Sequence, residues 1–258
     1  MKHFKRVISM MLVVVMCIAA LPANVFAWSS MSHANSADII LMELQRMENR
    51  RRDRRAGVTI FAYGKEDTSK TPYTYLIPEE FEDAIMSYPD AFRAGSLGPD
   101  FYPDIIVGQM MTHPYDARKT MGSGEWVKLL VESVNCLPKD SAERKEALSF
   151  TLGYMLHFCG DLFGHDFINT FSGGTYPSLT DIDYTNGMGA EINNIMSHMS
   201  QETYMDSLVN KDFYKKNNYL NIKAPTKFVT DTLITKGNAE NGHAAIYDKY
   251  AELPPHFD

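Results

Sequence analysis

Residues 157–166, "HFCGDLFGHD", hold two histidines and two aspartates among Phe, Leu, Cys and Gly. His157, Asp161 and His165 stand at i, i+4 and i+8. On a helix that spacing keeps them on one face, drifting by about 40° per step. Imidazole nitrogens and a carboxylate so arranged can ligate a divalent ion. A packed helix that tolerates polar residues is the alternative. His198 and Glu202, in "HMSQE", repeat the i, i+4 pairing, as a second half-site or as solvated neighbours. Asp100 follows Gly95, Gly98 and Pro99, and His113 comes thirteen residues later. These two are further ligand candidates, although Asp100 can also cap a turn and His113 can be plain loop.

A fourth cluster depends on processing. Lys2, Lys5 and Arg6 precede an apolar run over 7–21, followed by "PANVFA" with Val25 and Ala27 at the small-residue positions of a cleavage site. This reads as a secretory signal cut after Ala27, leaving 28–258 as one secreted domain. A retained anchor is the other reading, but the run is short for a span. No further segment of spanning length follows, so the mature chain is expected to be soluble. Cleavage makes Trp28 the first residue, and its α-amine, with a pKa of roughly 7.7–8.0, can bind a metal together with its carbonyl. His33 follows five residues on.

The chain has eight histidines, of which His3 lies in the leader, and five of the other seven fall in these four clusters. Multinuclear zinc requires such a concentration, at about four ligands per ion. Removing the three basic leader residues leaves 22 basic against 32 acidic residues, a net −10 that does not favour a polyanion-binding surface. Cys136 and Cys159 are expected either to form one disulfide or, for Cys159 among apolar neighbours, to leave a buried thiol.

The elements that must position these groups read as helical. Ile39, Ile40, Leu44 and Met47 mark a helix over 33–51, stopped by Gly57, with "ENRRRDRRAG" as its solvated basic end. Residues 58–78 are irregular, with room for a short hairpin. A helix is expected from about 79 through "PEEFEDAIMSYPDAF", then a rigid Gly/Pro loop, "AGSLGPDFYPD". Further helices cover 124–136, a long stretch to 169 opened by an Asp140/Glu143 capping box, and about 187–209. Shorter ones cover 225–236 and 241–251. The fold class is all-α, one compact multi-helix domain.

Together these pieces resemble the zinc-dependent phospholipase C family. They are a Trp directly after the signal, His33, "GSLGPD" at 95–100, His113, "HFCGDLFGH" at 157–165 and "HMSQE" at 198–202, in the family's order. The superfamily also holds fungal-type zinc nucleases that cut single strands. The resemblance implies an all-helical domain with about three Zn2+ ions. Trp28 and His33 would hold one. Asp100, His113 and His157 would hold a second, with Asp161 bridging these two. His165, His198 and Glu202 would hold the third.

The implied activity is hydrolysis of phospholipids at a membrane surface, by attack of metal-activated water on phosphorus. Asp100 would orient or deprotonate that water, or act as a ligand alone. Asp161 would be the second residue of the catalytic centre. A single-strand nuclease or 3′-nucleotidase on the same metals is the alternative, as is a non-catalytic helical protein with structural metals. The acidic charge leans towards lipid.

Two departures from the phosphatidylcholine-hydrolysing relatives stand out. His165 lies four residues after Asp161 rather than six, with Asp166 beside it either as a substitute or as a supporting residue behind the ligands. Position 31 is Met where choline-selective enzymes carry a carboxylate. Phe101 and Tyr102 are placed either at the substrate entrance or against the core.

Overall fold

The computed structural model describes residues 30–50, 57–60, 73–100, 123–174, 189–211 and 221–234. The helices are α1 (Ser30–Arg50), α2 (Glu79–Ser87), α3 (Pro89–Ser96), α4 (Ser123–Cys136), α5 (Ala142–Ser172), α6 (Gly189–Val209) and α7 (Thr226–Val229). A π-helical stretch, Thr230–Ile234, continues α7. β1 (Gly57–Ile60) and β2 (Tyr73–Leu76) form one antiparallel hairpin, with Gly57 opposite Leu76 and Ile60 opposite Tyr73. The class is all-α with that hairpin added. Among the described residues no helix is long and apolar enough to cross a membrane. The shorter helix expected over 241–251 lies outside the described residues, as does the leader.

The chain's contacts gather it into two units. One comprises His33–Leu162 and Asn217–Asp258, the other Met1–Ser32 and Phe163–Lys216.

The first unit holds the main core. Leu129, Leu130 and Val134 of α4 pack with Leu148, Phe150, Tyr154 and Phe158 of α5 and with Phe228 of α7. A second cluster joins Ala37, Leu41 and Leu44 of α1 to Ile85 and Phe92. The buried stripe of α1 is thus Ala34, Ala37, Leu41 and Leu44, while Ile39 is 50 % exposed. Of the expected positions Leu44 is buried and Ile40 packs against this cluster, while Ala34 and Ala37 complete the face and let the helix come close enough to bury Leu41 and Leu44.

The helix expected from 79 is two helices. Pro89, lacking an N–H, takes the first position of α3, and Tyr88 bends between them. The Tyr88 carbonyl accepts from the N–H groups of Ala91 and Phe92 and from the Ser149 hydroxyl of α5 at 2.8 Å. α3 then runs through Gly95 to Ser96, where a loop was expected. Gly95 is there for packing: a Cβ on it would overlap the Phe150 carbonyl, and a Cβ on Gly153 of α5 would overlap the Phe92 carbonyl. The two helices meet backbone to backbone through opposed glycines. Arg93 completes the arrangement, donating to Asp38 of α1 at 2.6 Å and to Asp90 at 3.0 Å.

α5 is capped by Ser141, not by the expected Asp140. The Ser141 hydroxyl accepts from the Arg144 N–H at 3.0 Å, and Asp140 sits at φ 66 in the turn ahead. Aspartate tolerates that left-handed backbone better than most residues, which frees Ser141 to cap. In the second unit α5 ends at Ser172, where Gly173 (φ 99) and Gly174 (φ 133) reverse the chain. Neither expectation for the cysteines is met: Cys136 and Cys159 are both free and both exposed.

Gly153→Ala should force α3 away from α5, costing about 1–3 kcal/mol as overpacked cores do, or a fall of about 3–10 °C in Tm. Gly124→Ala, whose Cβ would meet nothing within 4 Å, should leave Tm unchanged or raise it slightly. Thermal unfolding followed by circular dichroism separates the two.

Candidate metal centre

In the first unit α1 supplies His33 and α5 supplies His157 and Asp161. All three are buried, with side-chain exposures of 3 %, 0 % and 0 %. His33 Nε2 lies 3.2 Å from Asp161 Oδ1, and His157 Nε2 lies 3.1 Å from Asp161 Oδ2. Each carboxylate oxygen thus faces a different imidazole. The two rings stack at 3.6 Å between centroids, 13° from parallel. Gly160 makes that possible, because a Cβ there would press on His33 Nδ1 at 3.3 Å. Asp100, in the turn after α3, brings Oδ1 to 3.8 Å from His157 Nε2. On the far side of the ring, His157 Nδ1 donates to the Ser96 carbonyl at 2.8 Å. That bond turns Nε2 towards the carboxylates.

The electrostatics follow from burial. Desolvation disfavours charge on His157, but the Asp161 and Asp100 carboxylates outweigh it and raise its pKa to about 9. Burial likewise opposes ionisation of Asp161, yet the His157 charge and bonds from both imidazoles hold it well below the usual carboxylate range. His33 is pushed down by burial and by His157, leaving it neutral.

The second unit holds a separate group: His165 from α5, His198 and Glu202 from α6. His198 Nε2 is 2.8 Å from Glu202 Oε1, with both side chains buried. The His165 and His198 rings lie 5.3 Å apart at 59°. In each group one donor atom from every member lies within 4.8 Å of the others. Around a tetrahedral ion with bonds of about 2 Å, donors are roughly 3.4 Å apart, so small side-chain shifts would close either group on a cation. A site that raises a buried imidazole to about 9 is one that attracts positive charge. Nitrogen and carboxylate donors are also those zinc takes.

The structure thus gathers His33, Asp100, His157 and Asp161 in one place and His165, His198 and Glu202 in another. Trp28 and His113 lie outside the described residues, as do Phe101, Tyr102 and the side chain of Asp166. Two contributors escaped the sequence reading. The Ser96 carbonyl has no residue signature. Gly160, on the ligand face one turn from His157, was a signal left unused.

Fold and site together define an all-helical protein with two buried His/carboxylate groups suited to divalent metal. The family model for zinc dependent phospholipase C matches residues 68–253, well over half of the 258, and the chain belongs to that family. No curated protein and no solved structure matches it. The match takes in every candidate ligand except Trp28 and His33, and the geometry brings His33 beside the matched residues independently.

Two variants test the groups separately. Asp161→Asn should lower zinc content while sparing the ion of the His198 group, and His198→Ala should do the converse, read by elemental analysis of purified protein. Gly160→Ala should weaken zinc binding by about 10–100-fold, as displaced supporting contacts do. Competition with a chromogenic chelator measures it.

Proposed function

We propose that the protein is a secreted zinc-dependent phosphodiesterase of the phospholipase C type, exported and cleaved after Ala27. One observation carries the reading: a buried carboxylate, Asp161, flanked by His33 and His157 with Asp100 alongside, in a chain of the zinc-dependent phospholipase C family. Zinc held by these donors together with Trp28, His113, His165, His198 and Glu202, about three ions in all, would neutralise the phosphodiester, polarise its phosphoryl oxygen and acidify a nearby water.

The chain's own residues supply the rest. Asp161, with one oxygen towards each imidazole, fits the role of the bridging ligand. The Ser96 carbonyl holds the His157 ring with Nε2 inward. Asp100 is the group we assign to the attacking water, which it would orient and relieve of a proton as attack on phosphorus proceeds. Its Oδ1 lies 3.8 Å from His157 Nε2, which places it beside the His33, His157 and Asp161 group. The acidic chain supports a lipid rather than a nucleic-acid substrate.

The secreted enzyme should release phosphorylated headgroup from phosphatidylcholine or phosphatidylethanolamine vesicles, lose that activity on chelation and regain it with zinc. Single-stranded DNA assayed in parallel should remain intact. Cleavage of DNA with intact lipid would move the assignment to the nuclease branch. Asp100→Asn should lower kcat by about 100-fold or more.

A further inference from the structure

The turn from Leu97 to Asp100 leads out of α3 and carries a carboxylate assigned to the site. Its backbone is tight. The Gly98 N–H donates to the Gly95 carbonyl at 2.8 Å, and the Asp100 N–H donates to the Leu97 carbonyl at 3.1 Å. Against it lies a side chain with no part in the chemistry so far, Tyr154 of α5. The ring passes so close to Gly98 that a Cβ there would lie 2.6 Å from Tyr154 Cδ2 and 2.8 Å from Cε2. Real Cβ atoms do not approach that near, so the ring holds position 98 to glycine. Backbone conformation gives no such reason: among the described residues the glycines with positive φ are Gly173 and Gly174.

Tyr154 is a firm support. It is 1 % exposed, and Phe150 and Phe158, one turn to either side, set their rings 6.1 Å and 5.6 Å from its own. Close packing on both sides leaves the ring little freedom. Tyr154 stands three residues before His157, so the helix face that begins with the ring continues into His157 and Asp161. One face of α5 thus meets the turn twice. Tyr154 meets it at Gly98, and His157 meets it at Asp100, with Nε2 3.8 Å from Oδ1. That second distance is longer than a hydrogen bond, so the turn has a share in placing the carboxylate. All of these residues belong to the first unit.

We propose that Tyr154 is a positioning residue for Asp100. Its ring, seated against Gly98, sets the height of the turn above α5 and with it the distance from the Asp100 carboxylate to His157. The inference rests on the role assigned to Asp100 above. Loss of the ring would let the turn sink towards α5, and a misplacement of about 1 Å in a reacting group can cost about 100-fold in rate.

The test uses the full secreted chain loaded with zinc and assayed on phosphatidylcholine vesicles. Zinc affinity, from competition with a chelator, is a readout independent of turnover. Tyr154→Leu should lower kcat by about 10–100-fold with little change in KM, and weaken zinc binding by about 10-fold. Tyr154→Phe, which keeps the ring, should recover most of both losses. In an Asp100→Asn background Tyr154→Leu should cost less than about twofold further in either, because the group it positions is already gone. A merely structural tyrosine would give the same proportional loss in both backgrounds.

Wild-type kcat and zinc affinity in Tyr154→Leu overturn the assignment. So does a full further loss on top of Asp100→Asn, or a Tyr154→Phe no better than Tyr154→Leu. Should Tyr154→Leu fail to be secreted, Gly98→Ala, which presses on the same ring from the turn, is held to the same kcat, zinc and double-variant criteria. If Asp100→Asn itself keeps wild-type kcat, the role assigned to Asp100 fails and this inference with it. If Asp100→Asn is impaired and Tyr154→Leu is not, Tyr154 alone loses its role.

Discussion

Asp161 has no exposed side-chain surface, and a buried carboxylate commits its surroundings to supplying positive charge. Two imidazoles answer that demand, one to each oxygen. Because burial weakens their own charge, they answer it imperfectly: His157 takes the proton with a pKa raised to about 9, and His33 beside it is driven the other way. Two stacked imidazoles cannot both be charged at 3.6 Å without mutual cost. Divalent metal held by these residues would ease the conflict, since it would supply the positive charge that the carboxylate needs while both rings stay neutral. A metal bound there would compete with the proton for Nε2 of His157.

That arrangement constrains the helices around it. The Ser96 carbonyl reaches His157 Nδ1 only because α3 and α5 touch backbone to backbone, which opposed Gly95 and Gly153 permit. His33 stacks on His157 only because Gly160 offers no Cβ. Arg93 ties α3 to Asp38, five residues past His33 on α1, so the element carrying His33 is braced against the element that orients His157. The glycines weaken their helices by roughly 0.5–1 kcal/mol each relative to alanine, a cost that closer packing and a buried polar bond offset.

Residue type and spacing picked out most of the His and carboxylate residues that the structure gathers into its two groups, because metal chemistry uses few side chains and a helix repeats them every four residues. The same logic found the helices and allowed the hairpin. It failed where a decision belongs to tertiary contact. Gly95 reads as loop from its neighbours Gly98 and Pro99, but its reason is the Phe150 carbonyl on another helix. Ile39 reads as core by hydropathy, but the alanine seam decides which face of α1 turns inward. Asp140 and Ser141 are both sound caps in sequence, and the turn after Pro138 selects the serine. Ser96 works through its backbone, which every residue shares.

The spacing from Asp161 to His165 follows from the same helical arithmetic. Four residues advance the helix by 400°, a net drift of about 40°, so His165 stays near the ligand face. Six residues, the spacing in the phosphatidylcholine-hydrolysing relatives, would turn a straight helix by about 240° and carry the histidine to its far side. α5 is unbroken from Ala142 to Ser172, and on an unbroken helix four is the spacing that works. Yet His157 and His165 are separated by about 12 Å of axial rise, too far to share one ion. The helix therefore feeds two groups and takes a different partner for each, α1 with His33 for the first and α6 with His198 and Glu202 for the second. Asp161 is the residue of that helix whose two oxygens face different imidazoles, His33 on α1 and His157 on α5 itself.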